Sequence, residues 1–268
     1  MDSRVNSSSR GFDLTPAFAI SILVFVAIAM YQFSRSWDDA AQGLLLFERA
    51  QKDLYVDADL ALQAKGVAVA EPLAQRLREQ TVLVVMRTSR HHEIEGTGII
   101  VGARGGDLAV LTARHVVDHA GTRVIFFLSR DASIVRRTIF DRKNDLALLW
   151  VPAIPGKYSK ATIARNDFAT GQPFVVMGHP GDREWAATPG IAEHHEHLTL
   201  LYCPKCDRGD SGAGAYDMHG SLHGLVTQKL LITAPAAHSD RYVLIAAFST
   251  VRADRIRAFL SENRLAAK

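Results

Sequence analysis

From Thr81 onward the sequence predicts an all-β fold, barrel or sandwich, built as two successive units. Three observations predict it. Short runs rich in β-branched and aromatic residues (81–87, 97–101, 107–112, 122–128 and 133–140) follow one another, punctuated by Gly, Asp and Ser. No helical pattern intervenes, which argues against alternating β-α-β units and a parallel sheet. A Pro/Gly connector, Val151-Pro-Ala-Ile-Pro-Gly-Lys157, then precedes a second series of short strands at 161–164, 173–178, 197–202, 213–217, 221–228 and 241–248. The boundaries this sets are a first unit at about 80–152 and a second at about 158–250, within a domain of 80–264.

The flanking elements follow from composition. Residues 1–15 are polar and serine-rich and read as a disordered tail. Pro16 to Phe33 carries no charge and is near the lower limit for a bilayer-spanning helix, with Tyr31, Phe33 and Trp37 suited to an interfacial belt. Ala27-Ile28-Ala29 also offers a signal-peptide cleavage site, but Asp2 and Asp13 precede the stretch beside only Arg4 and Arg10, which favours an uncleaved anchor. Residues 34–79 repeat leucines at helical spacing (Leu44 to Leu46, Leu54, Leu60, Leu62, Leu73) and predict a helical spacer that Gly66 and Pro72 interrupt. It is read as a spacer or a self-association helix. Residues 249–263 predict a closing amphipathic helix with Val251, Ile256, Phe259 and Leu260 on its apolar side. The net charge of +3 is small and its basic residues are scattered, so no nucleic-acid partner is expected.

The chemistry converges on Ser211, in the glycine-flanked turn Arg208-Gly-Asp-Ser-Gly-Ala213. A serine hydroxyl becomes a nucleophile only with a base to take its proton and donors to hold the developing oxyanion. His115 follows a strand that ends in Thr112-Ala113, and Asp145 opens the apolar run Leu146 to Trp150. A carboxylate at the mouth of a buried strand must be hydrogen-bonded, and an imidazole N–H is a suitable partner. The glycines let the turn aim the N–H groups of Gly209 and Ser211 into one small space.

Five blocks in this order, Gly96 to Val101, Leu111 to Val117, Asn144 to Leu149, Gly209 to Gly212 and Gly220 to Thr227, resemble trypsin-like serine peptidases of the bacterial HtrA/Deg type. The resemblance implies two six-stranded antiparallel barrels, a catalytic triad of His115, Asp145 and Ser211, an oxyanion hole at Gly209 and Ser211, and a protein or peptide substrate. It also implies that Thr227 supports the aspartate. Lys205, six residues before the nucleophile, falls where the family places the base of the S1 pocket. Turned inward it would favour an acidic residue before the scissile bond; turned outward by the neighbouring cysteines it would leave a small apolar pocket. Asp210 stands where zymogen-type members pair a carboxylate with a freed N-terminal amine. With no such start apparent near residue 80, an internal group (Arg208, Lys205 or a loop histidine) is expected to pair with it. Family habit further implies a single-pass protein of the bacterial inner membrane with its catalytic domain outside the cytoplasm.

The sequence departs from the family in three respects. Ala213 and Gly214 stand where Gly-Pro is usual, Arg114 precedes the histidine, and no length remains for a PDZ-type module. Cys203-Pro-Lys-Cys206 suits a disulfide, which export would favour, or a structural zinc site completed by His194, His195 or His197. No other cofactor is expected. The remaining histidines, His179 among them, read as structural or solvated.

Overall fold

A computed structural model describes residues 64–88, 93–154, 156, 158–181, 183–194, 199–235 and 242–265. The expected tail, the 16–33 segment and most of the spacer lie outside the described residues. Among the described residues no helix is long and apolar enough to cross a membrane.

The first barrel contains β1 (Thr81–Thr88), β2 (Glu93–Arg104), β3 (Asp107–Ala113), β4 (Gly121–Phe126), β5 (Ala132–Ile134), β6 (Arg137–Asp141) and β7 (Leu146–Pro152). Their order is β5-β4-β1-β2-β3-β7-β6, all antiparallel. The run expected as one strand at 133–140 is broken at Val135-Arg136. There the Val135 N–H donates to Arg123 O at 3.0 Å and the Arg136 N–H to Trp150 O at 2.8 Å. Those two bonds face opposite neighbours, so the bent β5–β6 segment joins β4 to β7 and closes the barrel.

The second barrel contains β9 (Pro173–Gly178), β10 (Ala186–His194), β11 (Thr199–Tyr202), β12 (Gly214–Asp217), β13 (Ser221–Pro235) and β14 (Tyr242–Arg252), with β8 (Thr162–Ile163) parallel on the edge of β13. The order β12-β9-β10-β11-β14-β13 closes through an additional β12–β13 pairing. Closure removes the unpaired edges of a sheet. Sequence patterning does not reveal β10, because Pro189 and Gly190 interrupt it and it carries few β-branched residues. Gly190 is required by packing: a Cβ there would lie 2.2 Å from Tyr202 O.

Three α-helices among the described residues complete the body: α1 (Glu71–Arg78), α2 (Arg114–Val117) and α3 (Ala253–Glu262). Pro72 does not interrupt a helix but sits in the first turn of α1, where its missing N–H leaves no bond unmade. Leu73, Ala74 and Leu77 of α1 are buried in a core shared with Val82, Leu222 and, from α3, Ile256, Phe259 and Leu260. The packed body therefore begins before residue 80, inside what composition marks as a spacer.

Candidate active site

Strand register brings the first two residues together. Ala113 at the end of β3 pairs with Leu146 at the start of β7, so the residues just beyond, His115 in α2 and Asp145, are neighbours. Asp145 has a positive φ of 53°, a left-handed conformation that Asp tolerates better than most residues. Its carboxylate accepts the His115 N–H on Oδ1 at 3.1 Å and contacts His115 Nδ1 through Oδ2 at 2.7 Å. Arg114 turns toward the carboxylates: its guanidinium donates to Asp118, and its Nε lies 3.8 Å from Asp145 Oδ1.

Ser211 lies in the turn between β11 and β12, and the fate of each backbone N–H along this turn is informative. The Asp207 N–H donates to Asp210 Oδ2 at 3.1 Å and the Arg208 N–H to Asp207 Oδ1 at 2.8 Å. Asp210 N donates to Asp207 O, Gly212 N to Val226 O and Ala213 N to Asp210 O. Among the described residues the N–H groups of Gly209 and Ser211 have no hydrogen-bond acceptor, and neither does the Ser211 hydroxyl bond His115. Two glycines make the turn: Gly209 and Gly212 have φ of 95° and 86°. A Cβ at either would lie 2.1 Å from a carbonyl oxygen, that of His179 or of Thr97.

The turn is fastened to the first barrel through Thr97 of β2. Its N–H donates to Ser211 O at 2.8 Å, its hydroxyl to Gly209 O at 2.8 Å, and its own carbonyl accepts the Thr112 hydroxyl at 2.6 Å. Gly96 permits the approach, since a Cβ there would lie 2.6 Å from Val116 Cγ1 and 3.0 Å from Ser211 O. Sequence reasoning did not single out Thr97, and His179, expected to be structural, is buried with its Nδ1 3.0 Å from Thr97 Oγ1. The one signal for Thr97 is its place between two glycines, which marks close packing of backbone.

Asp210 is fully buried. Desolvation pushes its carboxyl up to about 7, against the opposing effect of the Asp207 N–H and the Arg183 charge. Neither Arg208, Lys205 nor a histidine side chain pairs with it; Oδ2 accepts the Asp207 backbone N–H, and Oδ1 makes no hydrogen bond of good geometry, though the His179 backbone also lowers the pKa. An ionised group so buried would demand a counter-charge, whereas a protonated one does not. The expected pairing with Arg208, Lys205 or a histidine side chain is not formed among the described residues; the positive charge that acts on Asp210 is that of Arg183.

Thr227 donates to Ser249 O at 3.4 Å, in the bulged part of the β13–β14 pairing, rather than to Asp145. Lys205 is exposed, and its carbonyl accepts from Arg183. Cys203 and Cys206 are joined in a disulfide and buried in the second barrel. Both thiols are thereby used, so this arrangement offers zinc no thiolate. His195 and His197 lie outside the described residues. His223 forms a second His–Asp contact, Nε2 to Asp217 Oδ2 at 3.2 Å, stacked on Phe168. It is buried and structural.

The model of the trypsin-like peptidase domain family matches residues 96–225. Serine protease Rv3671c of Mycobacterium tuberculosis is 27% identical over 176 residues, covering 60% of this chain and 41% of that protein. The Do-like serine protease HtrA of Lactococcus lactis subsp. cremoris is 27% identical over 164 residues, covering 54% and 40%. The chain thus spans well under half the length of these relatives. Among solved structures, active Rv3671c superposes with a TM-score of 0.57 at 20% identity, over 71% of this chain and 83% of that one. A serine endoprotease from Yersinia pestis gives 0.56 at 19%, over 74% and 67%. The architecture is thus the two-barrel chymotrypsin-like fold, and residues 96–225 match the trypsin-like peptidase domain.

Proposed function

We propose that the protein is a serine endopeptidase that cleaves protein or peptide substrates through His115, Asp145 and Ser211. The observation that carries this reading is the pairing of the His115–Asp145 bond with a nucleophile turn whose two uncommitted N–H groups are those of Gly209 and Ser211. Ser211 Oγ attacks the carbonyl carbon as His115 Nε2 takes its proton; Asp145 holds the proton on Nδ1 and stabilises the imidazolium. The carbonyl oxygen, now negative, accepts from Gly209 and Ser211. The imidazolium then protonates the leaving amine, and water repeats the sequence on the acyl-enzyme. No metal or organic cofactor enters these steps.

A second reading, a silent peptide-binding domain, draws on the lack of a Ser211–His115 hydrogen bond. Catalytic bonds are often long before substrate binds, and labelling decides between the two. A fluorophosphonate should label the wild-type chain at Ser211, and Ser211→Ala should abolish labelling and turnover while shifting stability by only about 0.5 kcal/mol. An unlabelled but folded wild type favours the silent domain.

We further propose that residues 16–33 anchor the chain in a membrane with the peptidase domain outside the cytoplasm. The charge-free stretch and the Cys203–Cys206 disulfide, suited to an oxidising compartment, support this. Alkaline carbonate extraction should leave the chain in the membrane pellet, and deleting 16–33 should release it.

A further inference from the structure

We infer that His179 and Thr97 form a directed hydrogen-bond relay that holds Gly209 in place, which makes both of them positioning residues for the oxyanion donors; this rests on the peptidase reading above. The direction follows from proton bookkeeping. Thr97 Oγ1 lies 2.8 Å from Gly209 O and 3.0 Å from His179 Nδ1. A carbonyl oxygen can only accept, so the single hydroxyl proton of Thr97 goes to Gly209. Oγ1 then presents a lone pair to the ring, and Nδ1 must carry the proton between them. That leaves His179 Nε2 bare, and it is buried without a partner. A bare imidazole nitrogen tolerates this far better than a charged ring would. Burial, aided by the Arg130 charge, lowers the pKa of His179 to about 4, so the ring is neutral wherever the enzyme would work. Trp185 holds the ring edge-on, with centroids 4.8 Å apart, and is itself fixed by its indole N–H on Thr81 O at 3.0 Å.

The relay matters because its target is a glycine. The two peptide planes that meet at Gly209 would otherwise rotate cheaply. The plane before it is pinned where the Gly181 N–H donates to Arg208 O at 2.7 Å. In a trans peptide the Gly209 N–H points the opposite way from that carbonyl. The plane after it is held by the Thr97 hydroxyl on Gly209 O at 2.8 Å and by the longer bond from the Asp210 N–H to Asp207 O at 3.2 Å. With the Thr97 bond gone, that plane keeps only the longer bond, so the angle at Gly209 that sets the Ser211 N–H against the Gly209 N–H is less firmly held. Such a donor acts on charge that exists only in the transition state, so its loss falls on kcat rather than KM.

Two measurements on the full chain test this. In the wild type, the 15N shifts of the His179 ring should report a protonated Nδ1 and a bare Nε2; the opposite tautomer overturns the relay whether or not the protein is active. In kinetics, Thr97→Val keeps the side-chain shape and both backbone bonds, and should lower kcat about tenfold, a fraction of the loss of a whole oxyanion donor, with KM within about twofold. Thr97→Ser should restore kcat. His179→Phe should lower kcat alone but add nothing further in the Thr97→Val background, because both act through one bond. A wild type that a fluorophosphonate does not label defeats the peptidase reading and leaves the tautomer to judge the relay. A labelled wild type whose Thr97→Val variant keeps full kcat defeats the relay alone.

Discussion

Asp210 follows Gly209 in the chain and the His179 carbonyl packs against Gly209, and burial moves the acidities of the two side chains in opposite directions. The Asp210 carboxyl is raised from 3.8 to about 7, chiefly by desolvation. Between those values the folded state keeps a proton that the unfolded chain has released, so this residue's contribution to stability falls as pH rises through the window. His179 is lowered from 6.5 to about 4, again chiefly by desolvation. Between those values the unfolded chain binds a proton that the folded state refuses, so its contribution falls as pH drops. From about 4 to 6.5 the two slopes cancel. Asp210→Asn removes one of them, keeping an acceptor for the Asp207 N–H and needing no charge. It should raise unfolding free energy near pH 8, by an amount on the order of 4 kcal/mol at most, and by almost nothing near pH 4. Urea denaturation at both values measures this, and an equal gain at the two would refute the buried neutral acid. Neither acidity was legible in the sequence. Asp210 could be recognised as buried and in need of a partner, but not that its partner is a backbone N–H three residues back, because that depends on how the turn folds.

The loop from Cys203 to Ser211 is the element on which the site depends, and it is fastened at several points. The disulfide is buried in the second barrel, the Lys205 carbonyl is held by Arg183, and the Asp207 carboxylate pairs with Lys229 Nζ at 2.9 Å across to β13. Asp207 adjoins Cys206, and its N–H is the one that bonds Asp210. The disulfide therefore orders the segment that supports the Ser211 turn. Its sequence separation is only 3, so chain entropy gives it roughly 2 kcal/mol of global stability. Replacing both cysteines with serine should cost about that much in denaturation, yet lower kcat more than such a loss of stability would, since the fold remains populated. Reductant should reproduce the effect in the wild type. Turnover unchanged by reductant, with free thiols confirmed by mass, would contradict it. The spacing of the two cysteines left disulfide and zinc open; the burial of both sulfurs against apolar neighbours such as Phe168 and Phe248 is information that only the fold holds. The neighbourhood of His115 and Asp145 was legible for the converse reason. Each sits at the end of a strand whose apolar pattern fixes its register, and β3–β7 pairing does the rest.

At the scale of the whole molecule, alternation of short strands made two β units readable, while closure was not. The bend at Val135-Arg136 and the β12–β13 contact join residues that no local pattern links. The start of the body was misplaced for a related reason. The segment 71–78 has the composition of a spacer, and only the packed structure shows Leu73, Ala74 and Leu77 inside the core and Arg76 donating to His219 O. This sets apart two truncations. Removing residues 1–63 takes nothing from the described core and should leave turnover and thermal midpoint unchanged. Removing residues 1–79 strips α1 and exposes the surface it covers, at a cost of roughly 4–6 kcal/mol for its two leucines and alanine, or about 10–20 °C in thermal midpoint. The same pair of chains bears on activation. A freed amine is needed only where a buried aspartate is ionised and lacks a partner, whereas burial raises the Asp210 carboxyl to about 7 and its Oδ2 accepts the Asp207 N–H. The uncut chain should therefore be active, and cleavage near residue 80 should reduce activity by destabilising the body rather than switch it on. Turnover of the full chain and both truncations, with thermal midpoints recorded beside it, tests both claims; an inert full chain that gains activity on losing residues 1–79 would contradict them.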